Sequence, residues 1–328
     1  MMYVSTKHRY DIDPNQVGRV EVGTETLVDK SKSTKTILMD LFPNNTNIEG
    51  ATIVNACYGG TAALLNAFLW VESDGWDGRY ALVVAADIAA YARGGARPTS
   101  GAGAVAVLVG RDAVLEFTPG EKATHAANVW DFFKPDHSVE YPTVNGQLSQ
   151  VCYYQALEDV YQRFCDSMDR KNITDQTTTT AVRTSVDSQD YFVFHAPYNK
   201  LVQKSFGRLV LLDARRKYAK EGNDGSDPTI VALDTDDKWL TKPLEETYTD
   251  KGLEKVLKQV SAQQYKQKLY DSNRASQLVG NTYTASVFLG MASLMDRVGG
   301  RGDLKEGQSI GVFSYGSGAL ATMYRLTV

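Results

Sequence analysis

Cysteine is scarce in this chain of 328 residues, with Cys57, Cys152 and Cys165 the three present. They are too widely spaced for a metal-ligand pattern and uneven in number for a disulfide framework, which points to a reducing compartment. Long hydrophobic runs are missing too. No segment reaches the roughly 18 apolar residues of a membrane span. The start, Met1-Met2-Tyr3-Val4-Ser5-Thr6-Lys7, has no apolar core of a secretory leader. Neither charge dominates: 35 Lys and Arg against 39 Asp and Glu leave a net charge of -4. That balance gives no sign of a nucleic-acid-binding protein, and any anionic ligand has to be held by a local basic cluster. The expectation is a soluble, cytoplasmic protein with no membrane partner. With 43% of residues hydrophobic, the chain can bury one large core or two halves.

Against this background Cys57 is the most informative residue present. It interrupts the apolar run Thr52-Ile53-Val54 and precedes Gly59-Gly60-Thr61 and the helically spaced Ala62-Ala63-Leu64-Leu65-Asn66-Ala67-Phe68-Leu69-Trp70. The pattern predicts strand, tight turn and helix, with the thiol at the helix N-terminus. Orphan N–H groups and the helix dipole favour a thiolate there. Gly59 and Gly60 leave room for an incoming acyl group. Position alone does not separate a reactive nucleophile from a buried structural thiol.

The chain reads as alternating strands and helices. Strands are expected at Gly18–Val22, Arg79–Ile88, Gly101–Gly110, Tyr191–Phe194, Ile310–Phe313 and Ala319–Leu326. Helices are expected at Thr36–Leu41, Ser149–Met168, Leu201–Tyr218 and Val287–Met295. Asp175–Asp190, with its threonine run, reads as an exposed loop, and Lys220–Asp227 as a charged one. The segment Ile53-Val54-Asn55-Ala56-Cys57-Tyr58 has a counterpart in Leu278-Val279-Gly280-Asn281-Thr282-Tyr283, each followed by a helix and two strands. This suggests an internal duplication with halves at 1–118 and 119–328. A strand-like stretch at Ala126–Phe132 and the Ser149–Met168 helix precede the Tyr191 strand. Almost nothing precedes the Val20 strand, so one strand and one helix of the repeat are expected to be absent.

The strand ends carry the candidate chemistry. His195 closes an apolar strand, which fits either a satisfied strand-end histidine or an imidazole at a ligand-binding sheet edge. Lys200 and Lys204 share a helix face, either as solvated surface or as a clamp for phosphates. Glu25 follows the Val20–Val22 strand and alone would pass for a surface carboxylate. Placed at matching strand ends, Glu25, Cys57, His195 and Asn281 would supply a base, a nucleophile, an acid or electrophile, and an amide. Gly316-Ser317-Gly318 is a hairpin turn or a set of N–H donors to an oxyanion. His8, His125 and His137 fit no pattern.

In this order the residues resemble the hydroxymethylglutaryl-CoA synthase family of the thiolase superfamily. The resemblance runs from about Gly18 to the C-terminus. It rests on Glu21-Val22-Gly23-Thr24-Glu25-Thr26, Asn55-Ala56-Cys57-Tyr58-Gly59-Gly60-Thr61, Trp76-Asp77-Gly78-Arg79, Ala96-Arg97-Pro98-Thr99, Asp131-Phe132-Phe133-Lys134-Pro135-Asp136, His195-Ala196-Pro197-Tyr198 and Phe313-Ser314-Tyr315-Gly316-Ser317-Gly318. It implies an α/β, thiolase-like fold whose two repeated halves form a layered αβαβα architecture. It also implies condensation of acetyl-CoA with acetoacetyl-CoA to give 3-hydroxy-3-methylglutaryl-CoA, a step of isoprenoid and sterol synthesis. Cys57 would carry the acetyl group, Glu25 would deprotonate its methyl, and His195 would polarise the acceptor. Tyr58, Asp87, Tyr91, Asp131, Phe132, Asn281, Tyr283 and Ser317 would line the site, and Thr99, Ser149, Lys200 and Lys204 would contact substrate or CoA. The family also implies a homodimer and no metal or redox cofactor.

Three departures accompany the resemblance. Gly95 stands where many members have a substrate-contacting asparagine. The family's first strand and helix lack a counterpart, and eukaryotic members continue beyond Val328. Two alternatives therefore stay open: a truncated, non-catalytic relative that binds or interacts, and a thiolase or ketoacyl synthase. Glu25 in the base position fits the latter less well.

Overall fold

A computed structural model describes residues 12–136, 138–174, 184–236 and 238–328. His8, His137 and most of the expected 175–190 loop lie outside the described residues. In chain order the elements are β1 (Val17–Gly23), α1 (Thr34–Leu38), β2 (Thr52–Ile53), α2 (Gly59–Val71), β3 (Tyr80–Ala89), β4 (Gly101–Val109), β5 (Glu116–Ala126), β6 (Phe132–Phe133) and β7 (Thr143–Val144). They continue with α3 (Gly146–Thr174), β8 (Tyr191–Phe194), α4 (Asn199–Glu221), α5 (Pro228–Leu233), α6 (Lys251–Val260), α7 (Ala262–Lys268), α8 (Tyr270–Val279), α9 (Ser286–Leu294), β9 (Ser309–Gly316) and β10 (Leu320–Thr327).

Two four-stranded sheets result, ordered β2-β1-β3-β4 and β5-β10-β9-β8. In the first, β1 runs parallel to β3 and β3 antiparallel to β4; in the second, β8 runs parallel to β9 and β9 antiparallel to β10. The same three-strand unit therefore occurs twice. In the second sheet β5 lies beside β10, whereas among the described residues no strand lies beside β4 in the same way.

Helices α2 and α9 fill the space between the sheets. Their sequences, GGTAALLNAFLWV and SVFLGMASL, carry no charged residue, and no narrow apolar stripe is needed where both faces are covered. Ala63, Leu64 and Ala67 of α2 and Val287, Phe288 and Leu294 of α9 share one core with Val83 of β3, Val193 of β8 and Val312 of β9. The outer face of the second sheet packs against α3 and α4 through Leu157, Phe164, Phe206 and Leu209. The outer face of the first meets Phe42, Ile48 and Leu38. This is the expected layered α/β arrangement.

Two sequence readings need correction. The strand before α3 spans Glu116–Ala126, not Ala126–Phe132, because it ends where Ala127 and Ala319 exchange backbone hydrogen bonds. A division at 118/119 therefore falls inside β5. The helices over 251–279 were not expected. In α6 the apolar Leu253 and Leu257 pack against Leu211 and Trp239, and Asp250 caps the N-terminus by accepting from the Leu253 N–H at 2.9 Å. Among the described residues no helix is long and apolar enough to cross a membrane.

Candidate active site

The carboxyl ends of β3, β8 and β9 and the turn before α2 converge on one cavity of about 300 Å³. Close approach of bare backbone makes the convergence possible. A side chain on Gly23 would overlap the Gly60 backbone, and one on Gly316 would overlap the Ala56 carbonyl. Glycine at these positions lets the end of β1, the start of α2 and the end of β9 meet under the thiol.

Cys57 lies in the cavity wall with φ at 57°, a left-handed conformation unusual for a residue with a side chain. Its N–H donates to Glu25 Oε2 at 2.8 Å. The helix begins only at Gly59, so the thiol sits upstream of the helix terminus and not in its first turn. Burial pushes the Cys57 thiol well above its ordinary range, and the Glu25 and Asp87 carboxylates push it further. The expected helix-favoured thiolate is thus corrected: carboxylates and lost hydration outweigh the dipole here. The resting group is a thiol.

Glu25 follows β1. Burial, and next the Asp87 carboxylate, raise it to about 7, with Lys134 opposing. Its backbone is fixed from below. Asp87 Oδ1 accepts from the Glu25 N–H at 2.8 Å, from Thr24 Oγ1 at 2.8 Å and from the Thr26 N–H at 2.9 Å. Asp87 Oδ2 accepts from the Thr284 N–H at 3.0 Å. Asp87 is 4% exposed and stands behind the cavity wall, so it orients the Glu25 loop.

His195 follows β8 and faces the same cavity. Its backbone is pinned: its N–H donates to Phe313 O at 2.8 Å, and Tyr153 Oη donates to its carbonyl at 2.6 Å. Its ring lies near those of Tyr153 and Tyr315, and among the described residues neither ring nitrogen has a hydrogen-bond partner. Burial lowers it to about 3, so the imidazole is neutral at physiological pH.

The other expected residues divide by place. Tyr91, Thr99, Phe132, Ser149, Asn281, Tyr283 and Ser317 line the cavity, as does Gly95. Asn281 Nδ2 donates to Tyr91 Oη at 3.1 Å, and burial pushes the Tyr91 phenol up to about 12. Asp131 is fully buried behind the wall and accepts from Ser317 Oγ at 2.9 Å. Tyr58 points away, its hydroxyl 2.5 Å from Thr322 Oγ1. Lys200 and Lys204 sit on the first turns of α4, outside the cavity wall that Leu201 of the same helix helps form. Lys204 is paired with Glu254 at 3.1 Å.

Three wall residues carried no sequence signal, Tyr153, Gln150 and Val144, while Tyr198 and Tyr315 belong to motifs of the resemblance without an assigned role. Lys134, whose Nζ lies 3.5 Å from Glu25 Oε1, belongs to a motif of the resemblance that assigns it no role. The internal repeat is also offset by one residue from the expected alignment. Tyr283, at φ 45°, has the left-handed backbone of Cys57, so Cys57 matches Tyr283 and Asn55 matches Asn281.

Family models described as hydroxymethylglutaryl-coenzyme A synthase N terminal and C terminal match residues 3–114 and 115–328. Hydroxymethylglutaryl-CoA synthase A of Dictyostelium discoideum is 44% identical over 322 residues, covering 98% of this chain and 62% of the relative. The cytoplasmic synthase of Gallus gallus is 47% identical over 317 residues, covering 95% of this chain and 58% of the relative. A structure described as MvaS in complex with 3-hydroxy-3-methylglutaryl coenzyme A superposes with a TM-score of 0.80 at 30% identity, covering 99% of this chain and 70% of that one. The chain thus spans about three fifths of the length of these two curated relatives.

Proposed function

The chain belongs to the hydroxymethylglutaryl-CoA synthase family, and on that premise we propose that it condenses acetyl-CoA with acetoacetyl-CoA. The observation that carries this reading is the geometry around one cavity: Cys57 and His195 share its wall, the Cys57 N–H donates to the Glu25 carboxylate, which ionises near 7, and the neutral His195 ring has no hydrogen-bond partner among the described residues.

The chemistry follows from the charge states. Cys57 Sγ attacks the acetyl carbonyl, the CoA thiolate leaves, and the thiol proton passes to the medium or to CoA. The acetyl methyl carbon then loses a proton to Glu25, whose ionisation near neutrality suits a base at working pH. That carbon attacks the ketone of acetoacetyl-CoA. His195, neutral and with both ring nitrogens uncommitted, donates a hydrogen bond to the ketone oxygen as negative charge develops there. The alkoxide takes up a proton through His195, resupplied by the medium or by the proton held on Glu25, and water then cleaves the Cys57 thioester, releasing 3-hydroxy-3-methylglutaryl-CoA and restoring the thiol.

Tyr91, Thr99, Phe132, Ser149, Asn281, Tyr283 and Ser317 are assigned to the substrate. Tyr58, Asp87 and Asp131 are assigned to the framework that aims them. Lys200 is assigned to the CoA phosphates; Lys204 has to exchange Glu254 for phosphate to join it. The halves 1–118 and 119–328 each supply part of the site. A cytoplasmic homodimer is the assembly assigned to it, and sedimentation at micromolar concentration tests that.

Intact-mass measurement after incubation with acetyl-CoA tests the function. The expected result is a one-acetyl adduct that Cys57→Ala abolishes, with 3-hydroxy-3-methylglutaryl-CoA forming once acetoacetyl-CoA is added. A folded chain that forms no adduct refutes the reading and leaves a binding protein.

A further inference from the structure

Glu25 belongs to the first half of the chain, and the cation nearest it comes from the second. Lys134 follows β6, at the start of the loop that leads to β7. Its neighbours are committed in different directions: Asp131 holds Ser317, Phe132 lines the cavity, and Phe133 meets Trp130 edge-on at 5.4 Å. Lys134 turns back toward Glu25, with Nζ 3.5 Å from Oε1, and also donates to Glu140 Oε2 at 3.2 Å. It lies 5.6 Å from the centre of the Tyr283 ring. Its side chain is 19% exposed, so most of the ammonium's water has been replaced by these three groups.

We infer that Lys134 is a positioning residue that holds the Glu25 carboxylate in its ionised, reaction-ready form, and that Glu140 competes for the same ammonium. This rests on the proposed role of Glu25 as the base. The groups facing Glu25 are Asp87 from β3, Cys57 ahead of α2, Lys134 after β6, and the Tyr283 ring ahead of α9. Among these, Lys134 is the cation. Glu25 Oε1 has no hydrogen bond among the described residues, so it meets the ammonium through charge at 3.5 Å. Burial and Asp87 disfavour the carboxylate, and Lys134 offsets them. Glu140 is 53% exposed and close to the same nitrogen, so it draws the ammonium away from Glu25 toward solvent.

The test is a carbon-13 carboxyl NMR titration of the full chain, with the Glu25 signal identified by its loss in Glu25→Gln. Wild-type Glu25 is expected to titrate at about 7. Lys134→Met is expected to raise that midpoint by about one pH unit, Lys134→Arg to keep it, and Glu140→Gln to lower it. The acid limb of condensation turnover should move the same way. At pH 7 turnover of Lys134→Met should fall about fivefold and recover as pH rises, with acetoacetyl-CoA KM little changed. A purely structural lysine would lower the rate at every pH and leave the titration in place. Should Lys134→Met not fold, Lys134→Gln replaces it. Coincident Glu25 titrations in wild type and Lys134→Met overturn the inference, as does a rise in Glu140→Gln equal to that in Lys134→Met. A chain that never acetylates Cys57 sinks the proposed function instead, and the titration still decides the role of Lys134.

Discussion

The chain enters α2 through Cys57 at φ 57°, and it enters α9 through Tyr283 at φ 45°. Both residues bend left-handed without the freedom of glycine, at a cost of about 1 to 2 kcal/mol each. What surrounds them differs. After Cys57 come Gly59 and Gly60, pressed against the Ile53 carbonyl, Phe288 and the Thr284 carbonyl. After Tyr283 come Thr284, Ala285 and Ser286, of which two side chains hold neighbouring segments: the Thr284 hydroxyl donates to Asp87, and Ser286 Oγ accepts from the Ala196 N–H at 3.0 Å. One turn is built to leave space above a thiol and the other to brace it. The strand ends beside them are opposed in a related way. Burial raises Glu25 to about 7 and lowers His195 to about 3, so the same loss of water favours the neutral form of both.

The sharpest way to break that comparison is Glu25→Gln. Condensation should fall by about a thousandfold, while the acetyl adduct on Cys57 still forms. Stability should move the other way. Glu25 ionises higher in the fold than unfolded, so its contribution is greatest below about pH 4.5 and is lost as pH rises through about 7. The glutamine variant should therefore be more stable than wild type at pH 8 by about 2 to 3 kcal/mol and equal to it near pH 4. His195 has the opposite sign: its contribution is intact above about 6.5 and is lost as pH falls toward about 3. Urea unfolding at several pH values checks both limbs.

Asp87→Asn tests the support beneath Glu25. The carboxylate accepts from the N–H groups of Glu25 and Thr26 on one oxygen and from that of Thr284 on the other. An amide turns an NH₂ group toward one set of these donors. A loss of about 2 to 3 kcal/mol in stability is expected. Asp87 also raises Glu25, so its removal should shift the acid limb of the pH profile downward, opposite to Lys134→Met. Equal shifts in one direction would show that both act through the fold alone.

These contrasts explain which parts were legible in the sequence. Cys57 and His195 each end or interrupt an apolar run, so periodicity exposed them, and the repeated strand–turn–helix order revealed two halves. Glu25 emerged only from its matched position. The helices over 251–279 stayed hidden because their small buried faces leave long polar stretches between apolar residues, as in α7 with no buried residue. Lys134 and Asp87 were invisible as partners, since their roles depend on contacts across 109 and 62 residues of chain. The one-residue offset of the repeat was equally beyond reach: a left-handed tyrosine leaves no mark in composition.

Steric tests of the two turns should have smaller effects. A methyl group on Gly60 would come within 2.7 Å of Phe288 and 2.8 Å of the Thr284 carbonyl, so Gly60→Ala has to push α2 from α9. A loss of about 3 kcal/mol is expected, with slower Cys57 acetylation because the turn moves with the helix. Ser286→Ala, at the matching position in the first turn of α9, removes only the acceptor of one buried N–H. About 1 kcal/mol should be lost, read as a lower urea midpoint at unchanged slope. Acetylation of Cys57 should be unaffected, because the braced strand carries His195, which enters only at condensation. If Ser286→Ala slowed acetylation as much as Gly60→Ala, the two turns would be one mechanical unit, and the division between the space above the thiol and the brace beside it would fail.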